Sequence, residues 1–135
     1  MDVHINYLAI LVCAIVNMLV GGLWYSPVLF AKPWMALNNF TEADMKNANP
    51  APLYGMSFIA ALVTYYVLAH IIQYTNASTV MDGAKTGFWI WLGFITTVQF
   101  TANLFSPKKI QAYFLDTGYQ LVSTLAAGVI LAIWK

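Results

Sequence analysis

Long apolar runs dominate the chain and are separated by less apolar connections that contain all five prolines. A helix needs roughly 20 predominantly apolar residues to cross the hydrocarbon core of a bilayer, and four runs reach that length. Proline ends or kinks a helix, so its confinement to the stretches between the runs predicts that each run forms one uninterrupted helix. The predicted membrane-spanning helices lie at about residues 5–25, 53–74, 84–105 and 110–134.

The first connection, residues 26–52, is the longest and the most varied in composition. Its first half mixes large apolar residues with Lys32 and Trp34, which is typical of a segment that lies in the membrane interface. In its second half Thr41 can cap a short helix, because acidic residues follow in what would be the first turn. We therefore expect a short interfacial or amphipathic helical link between the first and second spans.

The fold class predicted by this pattern is all-α, an integral membrane protein built as a four-transmembrane-helix bundle. One membrane domain is expected, over residues 1–135. Composition agrees, since hydrophobic residues make up 61% of the chain and charged residues only 8%. An average soluble domain carries roughly 25% charged residues, so this chain has too few charges to cover a surface that faces water.

Lysine distribution predicts the orientation in the membrane. Cytoplasmic loops carry an excess of basic residues, and the first and third connections hold a small excess of the lysines. We predict that these two connections, each containing a Ser-Pro pair, are cytoplasmic and that both termini lie outside, in the cytoplasmic membrane of a bacterium. The lysines of the two connections are Lys32, Lys46, Lys108 and Lys109, against Lys85 and Lys135 on the other side.

Charge and residue types exclude several classes of function. The net charge is only +1 and every basic residue is a lysine, so no nucleic-acid partner is expected, because arginine is the usual reader of phosphates and bases. Cys13 is the only cysteine, which rules out an internal disulfide or a dithiol redox pair. With only two histidines, no metal site is predicted, and no motif indicates a cofactor.

Polar side chains within the apolar runs follow single faces of the predicted helices. Such side chains are costly in a bilayer and face the interior of a bundle. At 1.5 Å of rise per residue, Asn17, Gln99 and Asp116 each lie roughly 9–12 Å in from the membrane surface on the side of the Ser-Pro connections. An antiparallel bundle therefore predicts a polar ligand pocket in that half of the membrane. Its candidate residues are Asn17, Tyr25, Gln99, Asn103, Asp116, Tyr119 and Gln120.

Each of these residues also has a purely structural interpretation. Asp116 is the only carboxylate within a predicted span, and it can either pair with Lys108 or Lys109 or contact a ligand or proton in the pocket. The amides can equally serve only as hydrogen bonds between helices. His70, near the opposite interface, is a secondary ligand candidate whose alternative role is an interfacial hydrogen bond.

Small residues recur every four positions on two of the spans. Gly83 and Gly87 do so at the start of the third, and Thr124, Gly128 and Ala132 do so in the fourth. This spacing lets helices approach closely, either within one chain or between copies. Besides the lipid bilayer, the partner we expect is a second copy of the chain, in a homo-oligomer formed through these faces.

Three short motifs are spread over nearly the whole chain. They are Gly22-Leu-Trp-Tyr-Ser-Pro27 with Leu29-Phe30, Lys32 and Trp34-Met35; Thr41-Glu-Ala-Asp44 with Lys46-Asn-Ala48; and Gly118-Tyr119 with Leu121-Val122. Together they resemble the domain-of-unknown-function family 1761, small four-helix integral membrane proteins. The resemblance implies that fold and no established activity. The chain departs from the family pattern at the third connection and at Gln120, where the family carries arginine and histidine, so a role of those residues would not carry over.

The function favoured by these features is binding or passing a small molecule, an ion or a lipid through the polar pocket, as a transporter or channel would. The alternative is a structural or accessory membrane subunit without a ligand site. A membrane enzyme has the least support, because no nucleophile–base pair and no histidine cluster is present. Convergence of the polar faces on a cavity would favour binding, whereas closed hydrogen-bonded pairs would favour the structural role.

Overall fold

Helices and short turns make up the computed structural model, which describes residues 3–47 and 49–135 apart from the side chain of Met45. A π-helical segment, Trp91–Thr96, joins the fifth and sixth α-helices. The predicted all-α class is therefore confirmed for the described residues. The α-helices are α1 Tyr7–Trp24, α2 Ala31–Leu37, α3 Glu42–Asn47, α4 Ala51–Tyr74, α5 Val80–Ile90, α6 Thr97–Leu104 and α7 Ile110–Ile133.

Three helices, α1, α4 and α7, are long and apolar enough to cross a membrane, and they occupy the first, second and fourth apolar runs. Many of their large apolar side chains face outward, Leu19 and Ile59 being 68% and 62% exposed. Alanines make up much of the interior, together with a few larger side chains such as Leu68 and Ile72. An apolar outer surface this extensive marks a membrane-facing protein.

The third apolar run is helical, but it is not the regular α-helix that the sequence predicts. A π-helix forms its hydrogen bonds five residues apart, which widens the helix locally, and no proline or other signal in the sequence marks this change. Contacts with α7 hold the segment at both ends. Trp91 Nε1 donates to the Thr117 carbonyl oxygen at 2.8 Å, and Tyr113 Oη donates to the Thr96 carbonyl oxygen at 2.9 Å. The fourth membrane crossing stays a prediction.

Side-chain caps set where helices begin. Asn6 Oδ1 accepts from the Ala9 amide at 3.1 Å, so α1 starts at Tyr7. α3 begins after Thr41 as predicted, because Thr41 Oγ1 accepts from the Asp44 amide while the Thr41 amide donates to the Asp44 carboxylate at 2.9 Å. The Thr41 amide and hydroxyl together lower the pKa of Asp44 below its ordinary value.

Glycines bring α5 and α7 into backbone contact. A Cβ added to Gly87 would lie 2.6 Å from the Thr124 carbonyl oxygen, and Cβ atoms added to Gly83 and Gly128 would each collide with the carbonyl oxygen of the other. The predicted small-residue faces therefore pack against each other within one chain. Oligomerisation stays a prediction, and it would have to use a different surface.

The third helical run and α7 diverge from this glycine contact toward the third connection. α5 packs along α7 far more extensively than α6 does. The change occurs at the π-helical segment, which lies between α5 and α6. Space is therefore left between α6 and α7 at the end of the bundle that carries the Ser-Pro connections.

Replacing Gly128 by alanine should destabilise the protein by about 1–3 kcal/mol, because the added methyl group would overpack the contact with Gly83. Gly55→Ala is the matched control, since a Cβ at Gly55 in α4 has no neighbour within 4 Å. Unfolding in detergent by heat or denaturant measures the difference. Equal stability of the two variants would contradict the close backbone contact.

Candidate functional site

Asn17 is the centre of a hydrogen-bond network that joins α1, α4 and α7. Tyr65 Oη and Tyr119 Oη both donate to Asn17 Oδ1, each at 2.9 Å, and Tyr119 Oη also lies 3.2 Å from the Asn17 carbonyl oxygen. Tyr65 is only 3% exposed. These three residues, which we call the Asn17 network, pair polar groups in a region where an unpaired polar group would be costly.

Asp116 is held by Tyr25, which directly follows the end of α1. Tyr25 Oη donates to Asp116 Oδ1 at 2.6 Å. The Tyr25 ring packs edge-on against Tyr119 and against Trp34 of α2, with centroids 5.6 and 6.0 Å apart. Among the described residues, no hydrogen bond reaches the second carboxylate oxygen, Oδ2. One oxygen of Asp116 is thus fixed, and the other is available.

An open cavity of about 200 Å³ lies between α6 and α7, beside Asp116. Gln99 and Asn103, which share one helix face, line it from α6. Lys108 also lines it, although the partner that the structure gives Asp116 is Tyr25 rather than a lysine. We call this space the Asp116 cavity; its lining residues are Gln99, Ala102, Asn103, Ser106, Lys108, Ala112, Tyr113 and Asp116.

Two predicted site residues lie elsewhere. Gln120 is half-buried one turn further along α7, where its backbone carbonyl accepts from Thr124 Oγ1 at 2.6 Å, and it does not line the Asp116 cavity. His70 lies toward the opposite end of the bundle, with Nδ1 2.9 Å from the Tyr66 carbonyl oxygen and its ring between Tyr66 and Tyr74. Both side chains are therefore separate from the site around Asp116.

Sequence reasoning missed two tyrosines that belong to this region. Tyr65 joins the Asn17 network, and Tyr113 forms part of the cavity wall while its hydroxyl contacts the hydroxyl and carbonyl of Thr96. The periodicity of α4 contains a usable signal, because Ala61, Tyr65 and Leu68 follow one another at helical spacing and are all buried. Tyrosine within such a face needs a partner for its hydroxyl.

A comparison with protein families matches residues 8–132 to the family described as "Protein of unknown function (DUF1761)". The chain belongs to this family. The resemblance noted in the sequence is thereby confirmed, and the family description names no activity. No curated protein and no solved structure matches the chain, so the chemistry of the site has to be argued from its geometry.

Two of the motifs that resemble the family meet each other beside Asp116. Trp24 Nε1 donates to the Leu115 carbonyl oxygen at 3.0 Å, and a Cβ added to Gly118 would lie 3.1 Å from the Trp24 ring. A Cβ added to Gly21 would lie 3.2 Å from Tyr119 Oη. Gly118, which belongs to a motif, and Gly21, which precedes one, thus leave room for the Trp24 and Tyr119 rings between α1 and α7, and this contact lies next to the Tyr25–Asp116 hydrogen bond.

Replacing Asn17 by alanine should destabilise the protein by about 1–3 kcal/mol, because two buried tyrosine hydroxyls would lose their acceptor. Tyr65→Phe removes only one hydrogen bond and should cost about 0.6 kcal/mol, the average found within membrane proteins. Tyr54→Phe is the control, since Tyr54 is 61% exposed. Unfolding in detergent ranks the three variants, and an Asn17→Ala protein as stable as Tyr54→Phe would refute the network's role.

Proposed function

We propose that this membrane protein binds a small molecule with a cationic group in the Asp116 cavity. The observation that carries the proposal is the position of the carboxylate: Asp116 is half-buried, lines the cavity and has only Oδ1 occupied, by Tyr25. A carboxylate that is partly withdrawn from water is stabilised by a positive charge or by further donors. A ligand ammonium at Oδ2 would supply it.

The alternative function, a structural or accessory subunit without a ligand site, explains some of the polar residues but not all of them. In the Asn17 network two tyrosine hydroxyls share one acceptor, Asn17 Oδ1, which is the pattern expected of hydrogen bonds that merely join helices. Gln99 and Asn103, in contrast, face the cavity together with Asp116. A purely accessory protein has no need for two amides and a carboxylate around an open space, so binding is the better supported function.

Binding is also favoured over an open channel. The Asp116 cavity occupies the end of the bundle near the third connection, whereas α5 and α7 are in backbone contact at the other end. Passage through the protein would require the contact among Gly83, Gly87 and Gly128 to separate. We infer a site that opens to one side, with any transport depending on a change in helix packing.

We further propose that the third helical run is the fourth membrane span. Residues 80–104 form an unbroken helical path, because the backbone at Ile90, Trp91, Thr96 and Thr97 stays in the right-handed helical region. At 1.5 Å per residue, 25 residues extend about 37 Å, longer than the roughly 30 Å hydrocarbon core. This topology puts the first and third connections in the cytoplasm and both termini outside.

Single cysteines should report this topology in cells. In a Cys13→Ala background, Lys46→Cys and Lys109→Cys should react with a membrane-impermeant maleimide only after lysis, whereas Ser78→Cys should react in intact cells. All three positions are exposed, and the four-span arrangement places Ser78 alone on the outer side. Labelling of Ser78→Cys and Lys109→Cys on the same side would show that the third run does not cross.

Small organic cations should stabilise the protein through Asp116. With ethylammonium, guanidinium and choline as probes at matched ionic strength, we expect at least one to raise the melting temperature in detergent. Such a probe at ten times its Kd stabilises the folded state by about 1.4 kcal/mol. Asp116→Asn should abolish the shift while keeping an acceptor for Tyr25, whereas Glu42→Gln, which removes an exposed carboxylate, should retain it. No shift with any probe would overturn the proposal.

A further inference from the structure

The Asp116 cavity contains a positive side chain as well as a negative one. Lys108 and Asp116 both line it, and within the described part of the chain no ion pair of 4.0 Å or shorter joins them. Two opposite charges that share one cavity without neutralising each other are each available to a ligand. This arrangement restricts the ligand more than Asp116 alone does.

The order of the polar groups along the cavity gives it a direction. Lys108 belongs to the connection at the end of the bundle, whereas Asp116 lies roughly 9 Å further in along α7 from Ile110 at 1.5 Å per residue. Gln99 and Asn103 are one turn apart on α6 and line the wall opposite α7. The cavity therefore presents a positive charge at its mouth, amides along one wall and a negative charge inside.

We propose that the ligand is a small zwitterion in which a primary ammonium group is linked by a short chain to an anionic group. The inference rests on the binding function proposed above and identifies its substrate class. The ammonium lies inward on Asp116 Oδ2, and the anionic group lies at the mouth on the Lys108 ammonium. An ammonium has three N–H donors, which the carboxylate and the amide oxygens of Gln99 and Asn103 can accept.

Charge and size both favour this class over its alternatives. A simple cation would gain from Asp116 but would be repelled by Lys108, and such repulsion of the wrong ligand is a common source of specificity. A simple anion would be attracted by Lys108 but repelled by Asp116. The volume of about 200 Å³ is below the roughly 300–1,000 Å³ of pockets for drug-sized ligands, which favours a small solute or the small headgroup of a larger molecule.

Two sources could supply this chemistry, a free aminoalkyl phosphate or carboxylate and the headgroup of an aminophospholipid. Ser106 and Lys108 of the third connection line the cavity, and the proposed topology puts this connection at the membrane surface, where we infer the mouth. A headgroup and a free solute can both reach that position. The experiment therefore needs one arm for the chemistry and a second for the source.

Calorimetric titration of the purified full chain with phosphoethanolamine and with ethanolamine tests the chemistry. We expect phosphoethanolamine to bind about tenfold more tightly, because only it completes a close charge pair with Lys108. Lys108→Gln should remove this preference, and Lys109→Gln, one residue further on and outside the cavity lining, should keep it. Asp116→Asn should weaken binding of both probes.

The outcomes separate this inference from the binding function itself. The proposal of a zwitterionic ligand is overturned if the two probes bind equally or if the preference for phosphoethanolamine survives Lys108→Gln. Either result leaves the binding of cations by Asp116 in place. Failure of both probes and of every organic cation overturns the binding function as well. The inference is supported if the unaltered chain and Lys109→Gln prefer phosphoethanolamine to ethanolamine and Lys108→Gln does not.

Nanodiscs identify the source once the preference is established. If the ligand is a lipid headgroup, phosphatidylethanolamine discs should weaken the apparent affinity for free phosphoethanolamine about tenfold relative to phosphatidylcholine discs, because the lipid would occupy the site by mass action. Equal affinity in both kinds of disc and in detergent assigns the site to a free zwitterion. Affinity that is weakened equally in both kinds of disc relative to detergent would contradict recognition of a primary ammonium group.

Discussion

The backbone contact between α5 and α7 is the constraint on which the rest of the bundle depends. In a hydrocarbon solvent apolar side chains gain little by burial, so helices associate through close packing and hydrogen bonds. Gly83, Gly87 and Gly128 provide that packing at one end. The same contact fixes the end from which the third helical run and α7 diverge. The cavity at the other end is therefore a geometric consequence of how closely the glycines bring the helices together.

At the end of the bundle where α6 and α7 diverge, glycine packing no longer holds the helices together. Hydrogen bonds between polar residues connect the helices there instead. The Asn17 network ties α1 to α4 and α7, and Tyr25 ties the end of α1 to Asp116. Both sets of hydrogen bonds compensate groups that would otherwise be unpaired. The two sets differ in position, because Asp116 lines the cavity and no residue of the Asn17 network does, and no described hydrogen bond reaches Asp116 Oδ2.

Much of this could be predicted from hydrophobic patterning, because length and apolar content alone determine which segments can cross a bilayer. Helical periodicity also brought Gln99, Asn103 and Asp116 to one cavity. Gln120, predicted for the same pocket, does not line that cavity, although it follows Asp116 by four residues as Asp116 follows Ala112. The π-helical segment was unpredictable, because its contacts at Trp91 and Thr96 involve α7 residues distant in sequence.

The residues of the family-like motifs and the residues that line the cavity are separate sets. This separation bears on which features the proteins of the family have in common. Trp24, Tyr25, Gly118 and Tyr119 belong to the motifs by which the chain resembles the family, and they build the contact between α1 and α7 that orients Asp116. The residues that line the cavity lie outside those motifs. A scaffold that fixes one carboxylate, combined with a separately encoded lining, allows the ligand to differ between proteins of the same fold. Under the proposed binding function, Lys108 and the two amides of α6 are the residues that would set the choice of ligand in this chain.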